Sequence, residues 1–89
     1  MGQTEPYSYR FTRSALRQLR RCPKAEAINR WIKKAADEPF RSDNNVKPLT
    51  GVPNGYRRRF GNWRVSYLVD QQGRLIEVFE IAPRGGAYK

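Results

Sequence analysis

Arg57, Arg59 and Arg64 are the residues whose type and spacing best suit chemistry. Between Arg59 and Arg64 lies Gly61-Asn62, a pair suited to a two-residue hairpin connection. With these two as the loop, Phe60 faces Trp63, Arg59 faces Arg64, Arg57 faces Ser66 and Tyr56 faces Tyr67. Side chains alternate between the two faces of a strand. Tyr56, Phe60, Trp63, Val65 and Tyr67 therefore belong to one face, the core side, while Arg57, Arg59 and Arg64 belong to the other. Arg58 falls among the core-facing residues, and a place near the sheet edge would let it snorkel. Opposed like charges about 5 Å apart are destabilising. Their repulsion is roughly 1 kcal/mol in water and ~3 kcal/mol at an effective dielectric of 20. An anion between them reverses that sign, and a phosphate held by two or three guanidinium groups is the simplest such anion. A solvated basic sheet face is the plainer alternative.

The composition points the same way. The chain of 89 residues carries 18 Lys+Arg against 8 Asp+Glu, a formal charge of +10, and 13 of the 18 cations are arginine. Such a field draws polyanions: nucleic acid, an anionic membrane surface or an acidic protein. The length suits one domain, spanning 1–89. There is no histidine. That excludes paired-imidazole nucleases and histidine-dependent triads, and with them most zinc hydrolases. A single cysteine, Cys22, excludes an intrachain disulfide and a thiolate cluster. No metal and no cofactor is expected. No stretch approaches the ~20 apolar residues of a spanning helix. The expectation is a cytoplasmic protein with no membrane partner. Any catalysis must use Arg, Lys, Tyr or a carboxylate.

The elements that position the arginines can be read from periodicity. Tyr7 to Phe11 alternates aromatic and polar residues, as in a strand. Thr12 is a candidate N-cap for a helix with Ala15, Leu16 and Leu19 on its apolar side and Arg13, Arg17, Arg20 and Arg21 mainly outward. Pro23 suits the first position of a second helix. Its stripe is Ala25, Ile28, Ile32, Ala35 and Ala36, with Trp31 at the edge, and Pro39 ends it. Residues 40–54 lack periodicity and contain turn chemistry, with Leu49 expected to anchor the loop on the core. Three strands follow: Tyr56 to Phe60, Trp63 to Asp70 and Leu75 to Ile81. The expected fold is α+β in the order β-α-α-β-β-β, an antiparallel sheet with two N-terminal helices on one face.

At this point the residues carry a resemblance. Lys47-Pro48-Leu49-Thr50-Gly51, then Gly55-Tyr56-Arg57-Arg58-Arg59-Phe60-Gly61-Asn62-Trp63-Arg64-Val65-Ser66-Tyr67, resembles the RelE/ParE superfamily of bacterial toxins. Ile81-Ala82-Pro83-Arg84, with Tyr88 four residues on, is similar to that family's closing Arg…Tyr motif. The resemblance runs from about Tyr7 to Tyr88. It implies a toxin of a type II toxin–antitoxin pair, with a RelB-like antitoxin partner carrying an acidic toxin-binding segment. RelE-like members cut messenger RNA in the ribosomal A site, and ParE-like members poison DNA gyrase. Carried onto this chain, the RelE-like catalytic positions fall on Arg57, Arg59, Arg64, Arg84 and Tyr88. The surrounding cations Lys47, Arg58, Arg13, Arg17 and Lys89 are expected RNA contacts. The implied chemistry is attack of the RNA 2′-hydroxyl on the adjacent phosphate, leaving a 2′,3′-cyclic phosphate and a 5′-hydroxyl. Arg57 and Arg59 stand where the best-known RelE-like member has lysines. An arginine stays protonated, so the base is left open between Tyr88, Lys47 and electrostatics alone. Arg58 is a second departure, because that position is usually apolar.

Overall fold

The computed structural model describes residues 6–39 and 43–83. Seven elements follow one another: β1 (Ser8–Phe11), α1 (Arg13–Arg20), α2 (Ala25–Asp37), β2 (Val46–Pro48), β3 (Gly55–Phe60), β4 (Trp63–Asp70) and β5 (Leu75–Pro83). They build a five-stranded sheet in the order β1-β5-β4-β3-β2, so the fold is α+β as the sequence suggests. Two features differ. The sheet is mixed, because β1 runs parallel to β5 while the other pairs are antiparallel. The α1–α2 connection carries the chain across one face to the far edge at β2, and the antiparallel run from β2 to β5 brings it back beside β1, a long-range pairing that leaves no trace in local periodicity. The second difference is β2, a three-residue strand in a stretch that lacks any alternating pattern. Pro48 occupies it without penalty because β2 is an edge strand.

The helices form where caps and stripes place them. Thr12 Oγ1 accepts from the Ala15 amide at 3.1 Å, the side-chain cap expected of that residue type. Arg17 and Arg20 occupy the last turn of α1, where cations complement the helix dipole. Ala15 is buried, but Leu16 is 42% exposed instead of joining the stripe. An eight-residue helix offers only a narrow inner face. The second helix starts at Ala25, two residues later than Pro23 implied, after the Cys22-to-Ala25 turn closed by the Ala25 amide on the Cys22 carbonyl. Ile28, Ile32 and Ala36, at four-residue spacing, are its buried residues.

The core lies between these helices and one face of the sheet. Ile28, Ile32, Val65 and Val78 are completely buried, and Phe60, Tyr67, Ile76 and Ile81 are nearly so. Trp31 of α2 packs edge-on against Phe60 and Tyr67, at 5.6 and 5.1 Å between ring centroids. Burying each such aromatic or aliphatic side chain contributes on the order of 1.5–3 kcal/mol. Leu49 is only half-buried and stays outside this cluster. It lies on the opposite side of the sheet, beside the arginines.

Candidate active site

The hairpin that presents the arginines forms in the register read from the sequence. Phe60 pairs with Trp63, Arg59 with Arg64, Arg58 with Val65, Arg57 with Ser66 and Tyr56 with Tyr67. Gly61 takes φ +59° and Asn62 does not have positive φ, the pattern of a type II′ loop, in which glycine fills the first position. At the other end of β3, Gly55 is needed for space. A Cβ there would come within 2.6 Å of Val52 Cγ1 and 3.1 Å of the Val52 carbonyl oxygen.

On the face away from the helices, Arg57, Arg59 and Arg64 line a shallow groove of about 380 Å³ with Lys47, Asn44, Asn45, Pro48 and Leu49. Edge strand β2 is what completes it. Lys47 pairs across from Arg57 in the β2–β3 ladder and so joins the same face. Arg59 is exposed, and Arg57 and Arg64 are half-buried. The Arg57 Nε is buried without a hydrogen-bond acceptor among the described residues. A buried charged donor without an acceptor costs at least about 1–3 kcal/mol, a cost the fold carries on this face. The arrangement can hold a phosphate by several charge-assisted hydrogen bonds and stabilise added negative charge on it.

Arg58 does not join this group. It lies on the helix side, where its Nε donates to Asp43 Oδ2 at 3.1 Å. Its guanidinium carbon sits 4.1 Å from the Phe60 ring centroid and 5.8 Å from that of Trp31. The expected RNA contact is thus occupied on the opposite face, held by a carboxylate and two rings rather than snorkelling to solvent. Beside it burial pushes the Tyr67 phenol above its usual range, and the Asp43 carboxylate adds to the rise. Arg13 and Arg17 are exposed on α1, which packs on the helix side of the sheet, remote from the groove face. Arg84, Tyr88 and Lys89 lie outside the described residues.

Sequence reasoning missed one charged residue of the groove face. The β4–β5 ladder pairs Ser66 with Glu80 but Tyr67 with Val78, so Phe79 is an extra residue on β5. The bulge places Glu80 on the arginine side and keeps Ile81 in the core. Its signal was present: the buried positions Ile76, Val78 and Ile81 break period two between 78 and 81. The Ile81 amide donates to Gln18 Oε1 at 2.8 Å, tying the bulge to α1.

Comparison with known proteins gives concordant results. Residues 9–88 match the family described as the ParE toxin of the type II toxin–antitoxin system parDE. A curated toxin of Methanocaldococcus jannaschii, RelE1, is 42% identical over 45 residues. That match spans 51% of this chain and only 50% of the relative's length. The archaeal RelE–RelB complex from Pyrococcus horikoshii OT3 superposes with a TM-score of 0.77 at 25% identity, covering 92% of this chain and 99% of the other. The isolated E. coli RelE toxin shares the fold, with a TM-score of 0.74 at 20% identity over 92% of this chain and 88% of the other.

Proposed function

This chain belongs to the RelE/ParE superfamily of type II toxins, and on that premise we propose that it is a ribosome-dependent endoribonuclease that cuts messenger RNA in the A site. One observation carries the reading: the groove gathers Lys47, Arg57, Arg59 and Arg64 on one sheet face. In-line cleavage drives charge onto the phosphate as the 2′-oxygen attacks. Donors already aimed at that charge lower the barrier without reorganising. Arg59 and Arg64 suit this role, and Arg57 anchors a phosphate oxygen. The resemblance adds Arg84, for charge at the leaving oxygen, and Tyr88, for a base or the 2′-hydroxyl, and both lie outside the described residues. The partner that keeps the toxin silent is an antitoxin whose acidic segment matches the chain's charge of +10. Members of the fold have been seen with RelB, which supports that assignment.

A second reading follows from the parDE description of the matched family: a protein that poisons DNA gyrase and cuts no RNA. A translation extract with primer-extension mapping separates the two. Cuts within ribosome-bound codons, with little cutting of naked RNA, support the nuclease. Intact messenger RNA together with DNA double-strand breaks overturns it in favour of gyrase.

A further inference from the structure

We propose that Glu80 is the general base of the arginine face, accepting the 2′-hydroxyl proton during cleavage; this rests on the RNA-cutting reading above. The arginines cannot take that role, because a guanidinium has no free lone pair at physiological pH. Three observations single out Glu80. Lys47, Arg57, Ser66 and Glu80 are successive partners across β2, β3, β4 and β5, and so form one row on one face. With strands about 4.8 Å apart, Glu80 stands only ~10 Å of backbone from Arg57. Between them in the row is only Ser66, a short and buried side chain that carries no charge.

The bulge is the second observation. Continued without it, the ladder from Tyr67–Val78 would oppose Ser66 with Phe79 and turn Glu80 toward the core. One inserted residue re-aims the carboxylate, and the Gln18–Ile81 hydrogen bond holds the insertion from α1. Third, the neighbouring outward carboxylate is already committed: Glu77 Oε2 accepts from Arg10 Nε at 3.0 Å. Glu80 is exposed and makes no ion pair among the described residues.

The step balances without any added reagent but water. Glu80 takes the 2′-hydroxyl proton as the 2′-oxygen bonds to phosphorus. The bond from phosphorus to the 5′-oxygen breaks, and that oxygen takes a proton from water. The resulting hydroxide is neutralised by the proton on Glu80, returning the carboxylate for the next turnover.

The decisive property is a sign. A bystander carboxylate on this face repels the phosphate, so Glu80→Gln would leave cleavage equal or faster. A base makes the same change costly. The test is single-turnover cleavage of messenger RNA on programmed ribosomes by the full chain and by its Glu80→Gln and Glu80→Asp variants. Glu80→Gln is expected to slow cleavage by on the order of a hundredfold or more. Its ribosome affinity should be unchanged or tighter. Glu80→Asp, which keeps a carboxylate, should cut at an intermediate rate. Glu80→Gln cutting at the parent rate overturns the inference and leaves the RNA-cutting reading standing. A loss accounted for by weaker ribosome binding alone overturns it in the same way. A parent protein that leaves ribosome-bound RNA intact removes the reading itself, and the role of Glu80 with it.

Discussion

Two faces of one hairpin carry the same residue type in opposite states. On the helix side, Arg58 is neutralised by Asp43 at 3.1 Å and covered by Phe60 and Trp31. On the other side, Arg57, Arg59 and Arg64 stand with Lys47 around an open groove, and the Arg57 Nε has no acceptor among the described residues. The difference lies in the surroundings. A cation at the margin of a core has to bring its partners with it, because desolvation without pairing costs several kcal/mol. A cation on a wet face can wait for one. The fold thus commits Arg58 to partners inside the domain, while Arg57, Arg59 and Arg64 line the groove on the other face.

The largest effect that would break this comparison is expected at Arg64. Arg64→Ala should cut cleavage by about a hundredfold or more and abolish growth inhibition, with circular dichroism and Tm close to the parent. Retention of full toxicity would remove Arg64 from the site. The next tests the waiting face directly. Inorganic phosphate should raise the parent's Tm, since a ligand of the folded state stabilises by mass action. The rise should shrink in Arg57→Ala and persist in Arg58→Ala. Equal shifts in both variants would show that the two faces do not differ toward anions.

Arg58→Ala should act on stability instead. Losing the cation–π contact and the partner of Asp43 should cost about 1–2 kcal/mol, discounted because the pair is partly exposed. In a chain of this size that is several degrees of Tm, read by thermal melts, with ribosomal cleavage little changed at permissive temperature. The smallest effect concerns Tyr67. Its phenol is raised in the folded state by burial and Asp43, so the neutral form is the one the fold favours. The associated stability is fully present below the unfolded value near pH 10 and is lost as pH rises beyond it. Tyr67→Phe, which cannot ionise, should flatten the fall of Tm above pH 10. An unchanged alkaline slope would show that Tyr67 does not titrate with unfolding.

Much of this was legible in the chain. The hairpin register needed only a two-residue loop and period two, and the structure keeps every pair derived that way. The Thr12 cap and the Ile28–Ile32–Ala36 stripe followed from residue type and helical spacing. The carboxylate on the groove face was harder to see, because one inserted residue at Phe79 reverses which face Glu80 takes. Such a slip turns every following side chain over.

The sequence by itself determined local geometry, charge and the division of the hairpin into an apolar and a basic face. Each of these depends on neighbours a few residues apart. Only the tertiary structure decided what depends on distant partners. Asp43 reaches Arg58 across fifteen positions, β1 docks in parallel beside β5, β2 brings Lys47 to Arg57, and Gln18 holds the bulge at Ile81. Chain closure over such spans is set by burial and hydrogen-bond satisfaction in three dimensions, to which no short-range period is sensitive.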